Sequence, residues 1–535
     1  MLIKTYGAAV QGIDAIIVTI EVASDKGVSF SLVGMADTAV RESHERVVSA
    51  MTQCGFSWPR RRIVVNLSPA DVRKEGAAYD LPIAIGILAA TEQIRCSHPL
   101  ESYMIMGELS LDGSVLPIRG ALPMAIKARE LGFKGMIVPK ANVSEAAVVN
   151  NLDVYGVSSL SEVIDFFTGK SSLAPTVVNT RQEFTRSSGI FDCDFSEVKG
   201  QKPVKRAFEV ACAGGHNILL VGPPGSGKSM MAKRLPTILP PLTLSEALET
   251  TKIHSVAGRL KSGSRLMTSR PYRSPHHTIS PVALVGGGSN PVPGEISLAH
   301  NGVLFMDEFP EFSRQVLEVM RQPLEDRHIT ISRAKYTIDY PTGFMLVASM
   351  NPCPCGYYNH PTKECTCSPG AVQKYLNRIS GPLLDRIDLQ VEIFPVPFDS
   401  LIDKNPAETS ADIRDRVIRA RLLQDHRFSL EKHIHCNAQM THRLLSVHTT
   451  LDGECTRLLR DTMTRLDMSA RAYDRILKVA RTIADLDYAT REHFDPTDTK
   501  SISEAASSPI LSDHLYEALA YRSLDRGSWG KTTGL

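Results

Sequence analysis

One glycine-rich stretch decides the fold, and it reads Gly222-Pro223-Pro224-Gly225-Ser226-Gly227-Lys228-Ser229. An apolar run, Asn217–Val221, comes directly before it, and a helical pattern, Lys228–Leu235, begins at its end. Glycines at these positions let backbone N–H groups turn toward phosphates, and the start of the helix adds partial positive charge. Lys228 is suited to the β- and γ-phosphates, and the Ser229 hydroxyl to Mg²⁺. The stretch predicts a site for ATP and Mg²⁺ at the edge of a parallel α/β sheet.

Two further apolar runs lead to side chains that suit the same site. Val303–Met306 is followed by Asp307 and Glu308, and the run Met345–Ser349 leads to Asn351. Because the carboxyl ends of parallel strands meet at one edge of a sheet, we expect these groups beside the glycine-rich loop. Asp307 is predicted to hold Mg²⁺ through water, and Glu308 to polarise the attacking water. Asn351 is predicted to bond the γ-phosphate or that water, so the sequence predicts ATP hydrolysis as well as binding.

Composition divides the 535 residues into three folded regions and one connection. Residues 1–168 alternate apolar runs with helical patterns, which predicts an α/β domain. Residues 169–190 are rich in Ser and Thr and are predicted to be a linker. Residues 191–395 carry the nucleotide motifs. Residues 396–535 are predicted to be a helical lid with a loop at 495–509.

Charge and hydropathy exclude several classes of protein. The net charge of +2 excludes a uniformly basic nucleic-acid binder but leaves room for a local basic patch. Met1–Lys4 leads into polar residues without the apolar core of a signal peptide. The longest apolar run, Leu81–Ala90, is too short to span a bilayer. The ten cysteines lack the spacing of a disulfide framework, so we expect a cytoplasmic protein with no membrane partner.

Four blocks of sequence in and around the nucleotide motifs carry a family resemblance. They are Phe195–Gln201, Gly215–Gly222, Ser274–Thr278 and Gly381–Asp388. Together they resemble the magnesium-chelatase-like AAA+ ATPases, most closely the competence-protein ComM (YifB) family, and the resemblance covers essentially the full length. It implies a P-loop AAA+ core with a parallel sheet and a C-terminal helical lid. It also implies that Val198 and Gln201 lie near the adenine.

The same resemblance gives roles to two arginines. Arg386, in Leu-Leu-Asp-Arg-Ile-Asp, is implied to be an arginine finger that reaches the γ-phosphate held by a neighbouring subunit. Arg471, in Ser-Ala-Arg-Ala-Tyr-Asp-Arg, is implied to be sensor 2 on the helical lid. Without the resemblance, each arginine would be interpreted as a salt-bridged surface residue. Because a finger of this kind needs a neighbour, we expect a homo-oligomeric ring, a hexamer.

The N-terminal region resembles a Lon-type protease domain that lacks its catalytic pair. Pro69–Ala84 is similar to the active-site region of these proteases, and Gly113–Gly120 is similar to a later strand and turn. Lon proteases need a Ser nucleophile activated by a Lys. Ala78 stands at the Ser position and Leu122 at the Lys position. The resemblance implies a Lon-like α/β domain in which peptidase activity is lost, and a role in binding or assembly.

Four cysteines form a candidate zinc site. Cys353 and Cys355 make one Cys-x-Cys pair, and Cys365 and Cys367 make a second pair, with nine residues between the two pairs. Four thiolates on a short loop can close tetrahedrally around Zn²⁺. The usual spacing is Cys-x₂-Cys, so a loop with free thiols is the alternative. Zinc here would brace the loop that leaves Asn351 and would have a structural role.

Two inserts are candidates for contact with whatever the ATPase moves. Arg270–His277 precedes a glycine-rich stretch between the phosphate loop and Asp307, and Glu325–Lys335 is predicted to be a hairpin. In related AAA+ helicases a hairpin at the second position points into the central pore. Candidate contacts to a DNA backbone on this hairpin are Arg327, Arg333 and Lys335. The alternative is an exposed hairpin with ordinary surface charge.

The leading functional hypothesis is an ATP-driven DNA motor. The family resemblance implies helicase or branch-migration activity on recombination intermediates during DNA uptake. The first alternative is an ATPase that remodels a protein partner, as the magnesium-chelatase motor subunit does, although that subunit lacks a Lon-like domain. The second is a nucleotide-gated scaffold, against which the set of Asp307, Glu308 and Asn351 argues.

Overall fold

A computed structural model describes residues 1–179, 184, 191–260, 263, 265–288, 291–333, 336–396, 407–431, 434–466 and 468–522. It contains three regions of structure, taken here in chain order. The predicted linker, 169–190, lies partly outside the described residues. Within its described part, the Thr176 N–H donates to the Val154 carbonyl, so the connection runs along the first region before leaving it.

The N-terminal region is built around a seven-stranded mixed sheet with the order β3-β4-β2-β1-β5-β8-β9. Its elements are β1 Leu2–Gln11, β2 Asp14–Asp25, β3 Ser29–Val33, α1 Thr38–Arg41, α2 Ser43–Gln53, β4 Arg62–Ser68, α3 Asp80–Ala90, β5 Tyr103–Ile105, β6 Glu108–Leu109, β7 Val115–Leu116, α4 Ala121–Glu130, β8 Gly135–Pro139, α5 Val143–Ala146, β9 Asp153–Val157 and α6 Leu160–Thr168. Strand β2 alternates buried and more exposed residues, as expected for a strand with one face on the core. Helix α3 is buried along its whole length, which explains its nearly continuous apolar sequence.

The central region is a five-stranded parallel sheet with helices packed around it. Its elements are α7 Lys202–Gly214, β10 Ile218–Val221, α8 Lys228–Arg234, α9 Leu244–Val256, β11 Tyr272–Arg273, α10 Pro281–Val285, β12 Gly286–Gly287, β13 Val292–Pro293, α11 Glu295–Leu298, β14 Val303–Met306, α12 Arg314–Val319, α13 Arg321–Asp326, β15 His328–Arg333, β16 Tyr336–Pro341, β17 Met345–Met350, α14 Pro369–Leu376, α15 Gly381–Leu384 and β18 Leu389–Glu392. The sheet order is β11-β14-β17-β10-β18, and every neighbouring pair is parallel. Strand β17 therefore lies between the strand that ends at the phosphate loop and the strand that ends at Asp307. This confirms the predicted parallel α/β core.

The C-terminal region is helical, as predicted. Its elements are α16 Ser410–Arg427, α17 His442–His448, α18 Gly453–Leu466, α19 Ala470–Ala489, α20 Thr499–Ala506 and α21 Ser512–Ala520. The prediction of a loop over 495–509 is wrong in its centre, where α20 forms. Asp498 caps this helix by accepting hydrogen bonds from the N–H groups of Lys500 and Ser501, and Ala506 is buried. Of the helices described, none has both the length and the apolar sequence that crossing a bilayer would require.

The N-terminal region contacts the central region at several places, and two of them bear on the sites predicted from the sequence. The Glu145 carboxylate accepts a hydrogen bond from the Ser255 hydroxyl, at the end of α9. The turn between β1 and β2 packs against the hairpin of β15 and β16, because Ile13 joins the cluster around Ile329 and Tyr340. The N-terminal region is thus in direct contact with the longer hairpin of the central region.

Candidate ATPase site

The phosphate loop connects buried strand β10 to helix α8. Gly225 and Gly227 have φ values of 78° and 88°, in the left-handed region that favours glycine. A Cβ on Gly222 would lie 2.6 Å from the Ile393 carbonyl oxygen, so no side chain fits there without a shift of the backbone. Nothing lies within 4 Å of a Cβ built on Gly225, which leaves open space at the crest of the loop. The loop can therefore present its N–H groups to phosphates.

Lys228 is held at the centre of the loop. Its Nζ donates hydrogen bonds to the carbonyls of Gly222 at 2.7 Å and Pro223 at 3.0 Å, and to Asn351 Oδ1 at 3.3 Å. Burial lowers the pKa of Lys228, and the carboxylates of Asp307 and Glu308 oppose that shift. The structure thus brings the predicted Asn351 into contact with the predicted phosphate-binding Lys228.

The Asp307 carboxylate accepts hydrogen bonds from hydroxyl groups on two neighbouring elements. Ser229 Oγ donates to Asp307 Oδ2 at 2.7 Å, and Ser349 Oγ donates to Asp307 Oδ1. Carboxylate and hydroxyl oxygens are the ligands that Mg²⁺ prefers, so the predicted pair of Ser229 and Asp307 fits this ion. Ser349 was missed by sequence reasoning. It is the polar residue within the otherwise apolar strand β17, which was a usable signal.

Glu308 occupies a left-handed turn immediately after β14, with φ at 52°. Its backbone N–H donates to Asp307 Oδ1 at 3.1 Å, and its carboxylate is 59% exposed. His277 Nδ1 lies 3.4 Å from Glu308 Oε2. The contact between these two side chains was not predicted, although His277 lies in the insert Arg270–His277 that the sequence singled out.

The predicted adenine residues lie beside the amino end of α7. Val198 is buried, and Gln201 has a left-handed backbone with φ at 55°. Gln201 Nε2 donates to the Phe394 carbonyl at 2.7 Å, which joins this segment to the chain that leaves β18. The nucleotide-binding role of both residues stays a prediction.

Arg386 lies at the amino ends of the parallel strands, whereas the phosphate loop lies at their carboxyl ends. It precedes β18, whose first residue Leu389 pairs with Ile218 at the amino end of β10. Its guanidinium forms an ion pair with Glu325 and donates to the Pro382 carbonyl at 2.6 Å. The length of a four-residue strand, roughly 13 Å, therefore separates Arg386 from its own phosphate loop. This is compatible with a role in a neighbouring site, which stays a prediction.

Arg471 is exposed in the first turn of α19. The contacts described for the phosphate loop do not include it. One turn further along, Arg475 Nη1 lies 2.8 Å from Asp388 Oδ1, which joins the helical region to the core. The role of sensor 2 therefore stays a prediction for Arg471, and Arg475 is a contact that sequence reasoning missed.

Comparison with known proteins gives the family. Residues 20–142, 194–401 and 407–522 match the families described as "Subunit ChlI of Mg-chelatase", "Magnesium chelatase, subunit ChlI" and "Magnesium chelatase, subunit ChlI C-terminal". The chain is 41% identical to "Competence protein ComM" of Haemophilus influenzae over 523 residues, 97% of each protein. It is 41% identical to "Uncharacterized protein YifB" of Escherichia coli over 524 residues, covering 97% of the chain and 96% of that protein. The chain belongs to the ComM/YifB family. It is an AAA+ ATPase of the magnesium-chelatase type.

A more distant similarity connects part of the chain with the Lon-type proteases. The chain is 26% identical to "Lon protease 2" of Bacillus subtilis over 181 residues, which is 30% of the chain and 31% of that protein. At the Lys position of the Lon dyad, Leu122 is fully buried and its N–H donates to Glu145 Oε1 at 2.9 Å. The same carboxylate accepts from Ser255 of the ATPase core. Leu122 is thus part of the contact between the two regions.

The four cysteines converge as the zinc prediction requires. Their Sγ atoms all lie within 4.8 Å of one another, and those of Cys353, Cys355 and Cys365 are 3.3, 3.6 and 3.6 Å apart. A tetrahedral site with Zn–S bonds of about 2.3 Å places sulfurs about 3.8 Å apart, so the thiols fit this metal. A Cβ built on Gly356, between the two pairs, would lie 2.6 Å from Pro224 Cδ. The cysteine loop therefore packs against the phosphate loop.

The predicted hairpin exists but has other bounds. Strands β15 and β16 pair antiparallel from His328↔Pro341 to Arg333↔Tyr336, whereas Glu325 belongs to helix α13. Arg327 precedes β15 and is half-buried at the base of the hairpin. Because β15 is six residues long, roughly 20 Å separates Arg327 from the turn, so Arg327 lies apart from the end of β15 and its contact with DNA stays a prediction. Arg333 ends β15 next to the turn, and Lys335 lies outside the described residues.

Proposed function

We propose that this protein is an ATP-driven DNA motor that acts as a ring of identical subunits, a hexamer. In this proposal it moves branched DNA, as a helicase or branch-migration factor, during DNA uptake. Three observations support it: the nucleotide site, the paired hairpins that leave that site, and the similarity over 97% of both chains to a relative named as a competence protein. A cytoplasmic location belongs to the proposal, since the described cysteines are free thiols, as in a reducing compartment.

The chemistry assigned to this chain is hydrolysis of ATP with Mg²⁺. Lys228 and the N–H groups of the phosphate loop would hold the phosphates, and Ser229 with Asp307 would hold the ion. Bound Mg²⁺ supplies positive charge that offsets the charge on the phosphates. Glu308 would accept the proton of the attacking water, and Asn351 would orient that water or the γ-phosphate.

The site would be completed by a second copy of the chain. Arg386 lies at the sheet edge opposite its own phosphate loop, so it can serve a nucleotide only on another subunit. Glu325 pairs with it within the subunit and would be exchanged for phosphate when the ring closes. Closed symmetry gives every subunit the same neighbour, and each site then contains residues from two chains.

The observation that carries the choice of DNA is the pair of hairpins. β12–β13 and β15–β16 lie against each other, since Tyr340 Oη donates to the Pro291 carbonyl at 2.8 Å. The first hairpin precedes strand β14, which leads to Glu308, and the second lies between β14 and β17, which leads to Asn351. Strand β15 of the longer hairpin ends at Arg333, and the sequence has a second cation, Lys335, two residues further on. Such charge beside a central pore suits a phosphate backbone.

The test is the ATPase rate of the purified protein with and without forked and four-way DNA, together with DNA affinity over a range of salt. We expect branched DNA to stimulate turnover. Replacing Arg333 and Lys335 by Ala should lower the slope of log affinity against log salt by about two, one for each lost phosphate contact. The DNA-free ATPase rate should be retained. The matched control is Arg457→Ala with Arg460→Ala, which removes two exposed charges from α18.

If the parent hydrolyses ATP but ignores every DNA structure, the DNA motor is wrong. Remodelling of a protein partner, as in magnesium chelatase, would then be the better hypothesis. Equal salt slopes for the hairpin variant and its parent would instead remove the hairpin from the DNA contact.

We also propose that Cys353, Cys355, Cys365 and Cys367 hold one structural Zn²⁺. The support is the clustering of the four thiols and the contact of their loop with the phosphate loop. The ion would fix a loop that begins next to Asn351 and packs against Pro224. The same metal would therefore stabilise two parts of the nucleotide site.

A further inference from the structure

The longer hairpin, β15–β16, has a small apolar cluster of its own. On one face, buried Ile329, Ile331 and Tyr340 pack with Ile338, and these buried residues form a cluster separate from the three larger ones of the described chain. Thr330, which alternates with them along β15, is exposed, so only one face of the hairpin is covered. Because an isolated two-stranded hairpin is marginally stable, whatever covers this face decides where the hairpin lies.

Among the described residues, two from outside the hairpin cover that face, Ile13 and Val285. Val285 ends α10 in the central region, whereas Ile13 lies in the turn between β1 and β2 of the N-terminal region. A Cβ on the neighbouring Gly12 would lie 3.0 Å from Ile338 Cγ2, so the backbone of the turn closely approaches the hairpin. Turn residues are usually polar, and an isoleucine at this position therefore indicates a contact.

The turn that carries Ile13 is firmly held. Strands β1 and β2 pair over ten residues each, and the last pair, Gln11↔Asp14, adjoins the turn. Asp14 also forms an ion pair with Lys252 of α9, and Leu248 of the same helix packs against the apolar core of the N-terminal region. The end of this β-ribbon is thus fixed both by its own hydrogen bonds and by a helix of the ATPase core.

We infer that Ile13 is a positioning residue that holds the longer hairpin, so that the N-terminal region supports the hairpin against the load. The inference rests on the proposed function in one respect, which is that the load is DNA. The described contacts of Ile13 are with the hairpin and not with the nucleotide site, so ATP hydrolysis without DNA does not depend on it. A hairpin held on one face by a fixed ribbon can meet a DNA strand without being pushed aside.

The first measurement is amide hydrogen exchange of the full-length protein without DNA. Ile13→Asp places a carboxylate against Ile338, so the amides of β15 and β16 should exchange at least about tenfold faster than in the parent. Those of β14 and β17, in the core sheet, should keep the parental rate. The matched control is Val28→Asp, at a residue 81% exposed between β2 and β3, which should leave both hairpin and core unchanged.

The second measurement is the stimulation of ATPase activity by forked DNA. Ile13→Ala shortens the side chain, so the DNA concentration for half-maximal stimulation should rise about five- to tenfold, the size expected for loss of a partly buried apolar contact. The DNA-free kcat and the KM for ATP should stay parental. Ile13→Val keeps a branched apolar side chain and should restore the parental response to DNA.

Parental exchange in β15 and β16 of Ile13→Asp would overturn the inference. So would faster exchange with an unchanged response to DNA in Ile13→Ala, because the contact would then stabilise the hairpin without positioning it for the load. A rise in the KM for ATP would place the effect at the nucleotide instead. If DNA does not stimulate the parent, the proposed DNA motor fails, but the exchange rates still decide whether Ile13 holds the hairpin.

Discussion

At the scale of single residues, Asp307 is the point at which the site is assembled. Ser229 arrives from the phosphate loop and Ser349 from the neighbouring strand, and each donates to a different oxygen of this carboxylate. A carboxylate held in this way keeps the same orientation whether or not an ion is bound. Ser349 therefore has an expected role as a supporting group behind the proposed Mg²⁺ ligands.

Ser349→Ala should raise the Mg²⁺ concentration needed for half-maximal ATPase activity by about 10- to 100-fold, the usual effect of losing such a support. The substitution removes one hydroxyl and leaves the strand intact. Activity at saturating Mg²⁺ should largely recover. The measurement is a Mg²⁺ titration of phosphate release, and a half-saturation point equal to that of the parent would contradict the role.

Lys228→Ala and Glu308→Gln should separate ATP binding from hydrolysis. The first removes the charge that meets the phosphates, so a fluorescent ATP analogue should no longer bind at micromolar concentration. The second keeps binding but should reduce turnover at least about 100-fold, because an amide cannot accept the proton from water. Lys233→Ala, at an exposed lysine near the end of α8, is the control that should match the parent. Undiminished turnover of the Gln variant would show that the base is assigned wrongly.

How much of the site could be predicted depended on how local its signals are. The phosphate loop and the strand ending at Asp307 each contain their signal within a few residues, so their neighbours could be named from the sequence. The contacts of Ser349 and His277 join residues far apart in the chain. Their meaning depends on which strand ends adjoin, which a single sequence does not specify.

At the scale of elements, the loop 352–368 joins two functions that the sequence presents separately. It begins next to Asn351, gathers four thiols, and packs Gly356 against Pro224 of the phosphate loop. Loss of the metal should therefore weaken the binding of ATP.

The purified protein should contain about one Zn²⁺ per chain by elemental analysis, because four thiolates complete one tetrahedral site. Cys353→Ser with Cys365→Ser should remove it and weaken ATP binding by about tenfold, a support effect of the usual size. Cys96→Ser with Cys193→Ser removes two thiols elsewhere and is the matched control. If protein purified without chelators contains no zinc, the metal site is wrong and the four residues are free thiols.

The sequence predicted the type of the elements better than it predicted their first and last residues. The apolar strands of the core match their predicted positions closely, since their burial on both faces leaves a continuous apolar run. The hairpin was displaced because its register is set by pairing with residues 336–341, which lie beyond the predicted segment. Helix α20 was missed because its Ser- and Thr-rich composition resembles a loop, while its Asp498 cap and buried Ala506 favour a helix.

At the scale of the whole molecule, the helical region is fastened to the core by a buried charge. Burial alone would raise the pKa of Asp388, but Arg475 and His216 lower it well below its ordinary value. A carboxyl whose folded pKa is depressed stabilises the protein above its unfolded pKa of about 4, and that stability is lost as pH falls further.

Asp388→Asn should lower the free energy of unfolding by about 3 kcal/mol at pH 7, because it leaves the half-buried Arg475 without its charge partner. Urea unfolding at several pH values is the measurement. The difference from the parent should stay constant between pH 8 and pH 5 and shrink only below about pH 4. Asp461→Asn, at an exposed position on α18, should have little effect. A difference that already disappears at pH 6 would contradict a depressed pKa.

The arrangement of the whole ring predicts that two inactive variants restore each other. Arg386 and Lys228 lie at opposite edges of one sheet, so a subunit with Arg386→Ala still has an intact phosphate loop. A subunit with Lys228→Ala still has an intact arginine. When the two are mixed, interfaces that pair the good loop of one with the good arginine of the other should hydrolyse ATP. Each variant alone should be nearly inactive, and activity should peak near equal proportions.

Arg386→Ala subunits should still bind ATP, since the Arg386 side chain does not contact their own loop. The matched control is a mixture of Lys228→Ala with Glu308→Gln. Both residues belong to the half of the site that each subunit supplies for itself, so every site in this mixture lacks either the lysine or the glutamate. Absence of recovery in the first mixture, with ring formation verified by light scattering, would contradict a site shared between subunits.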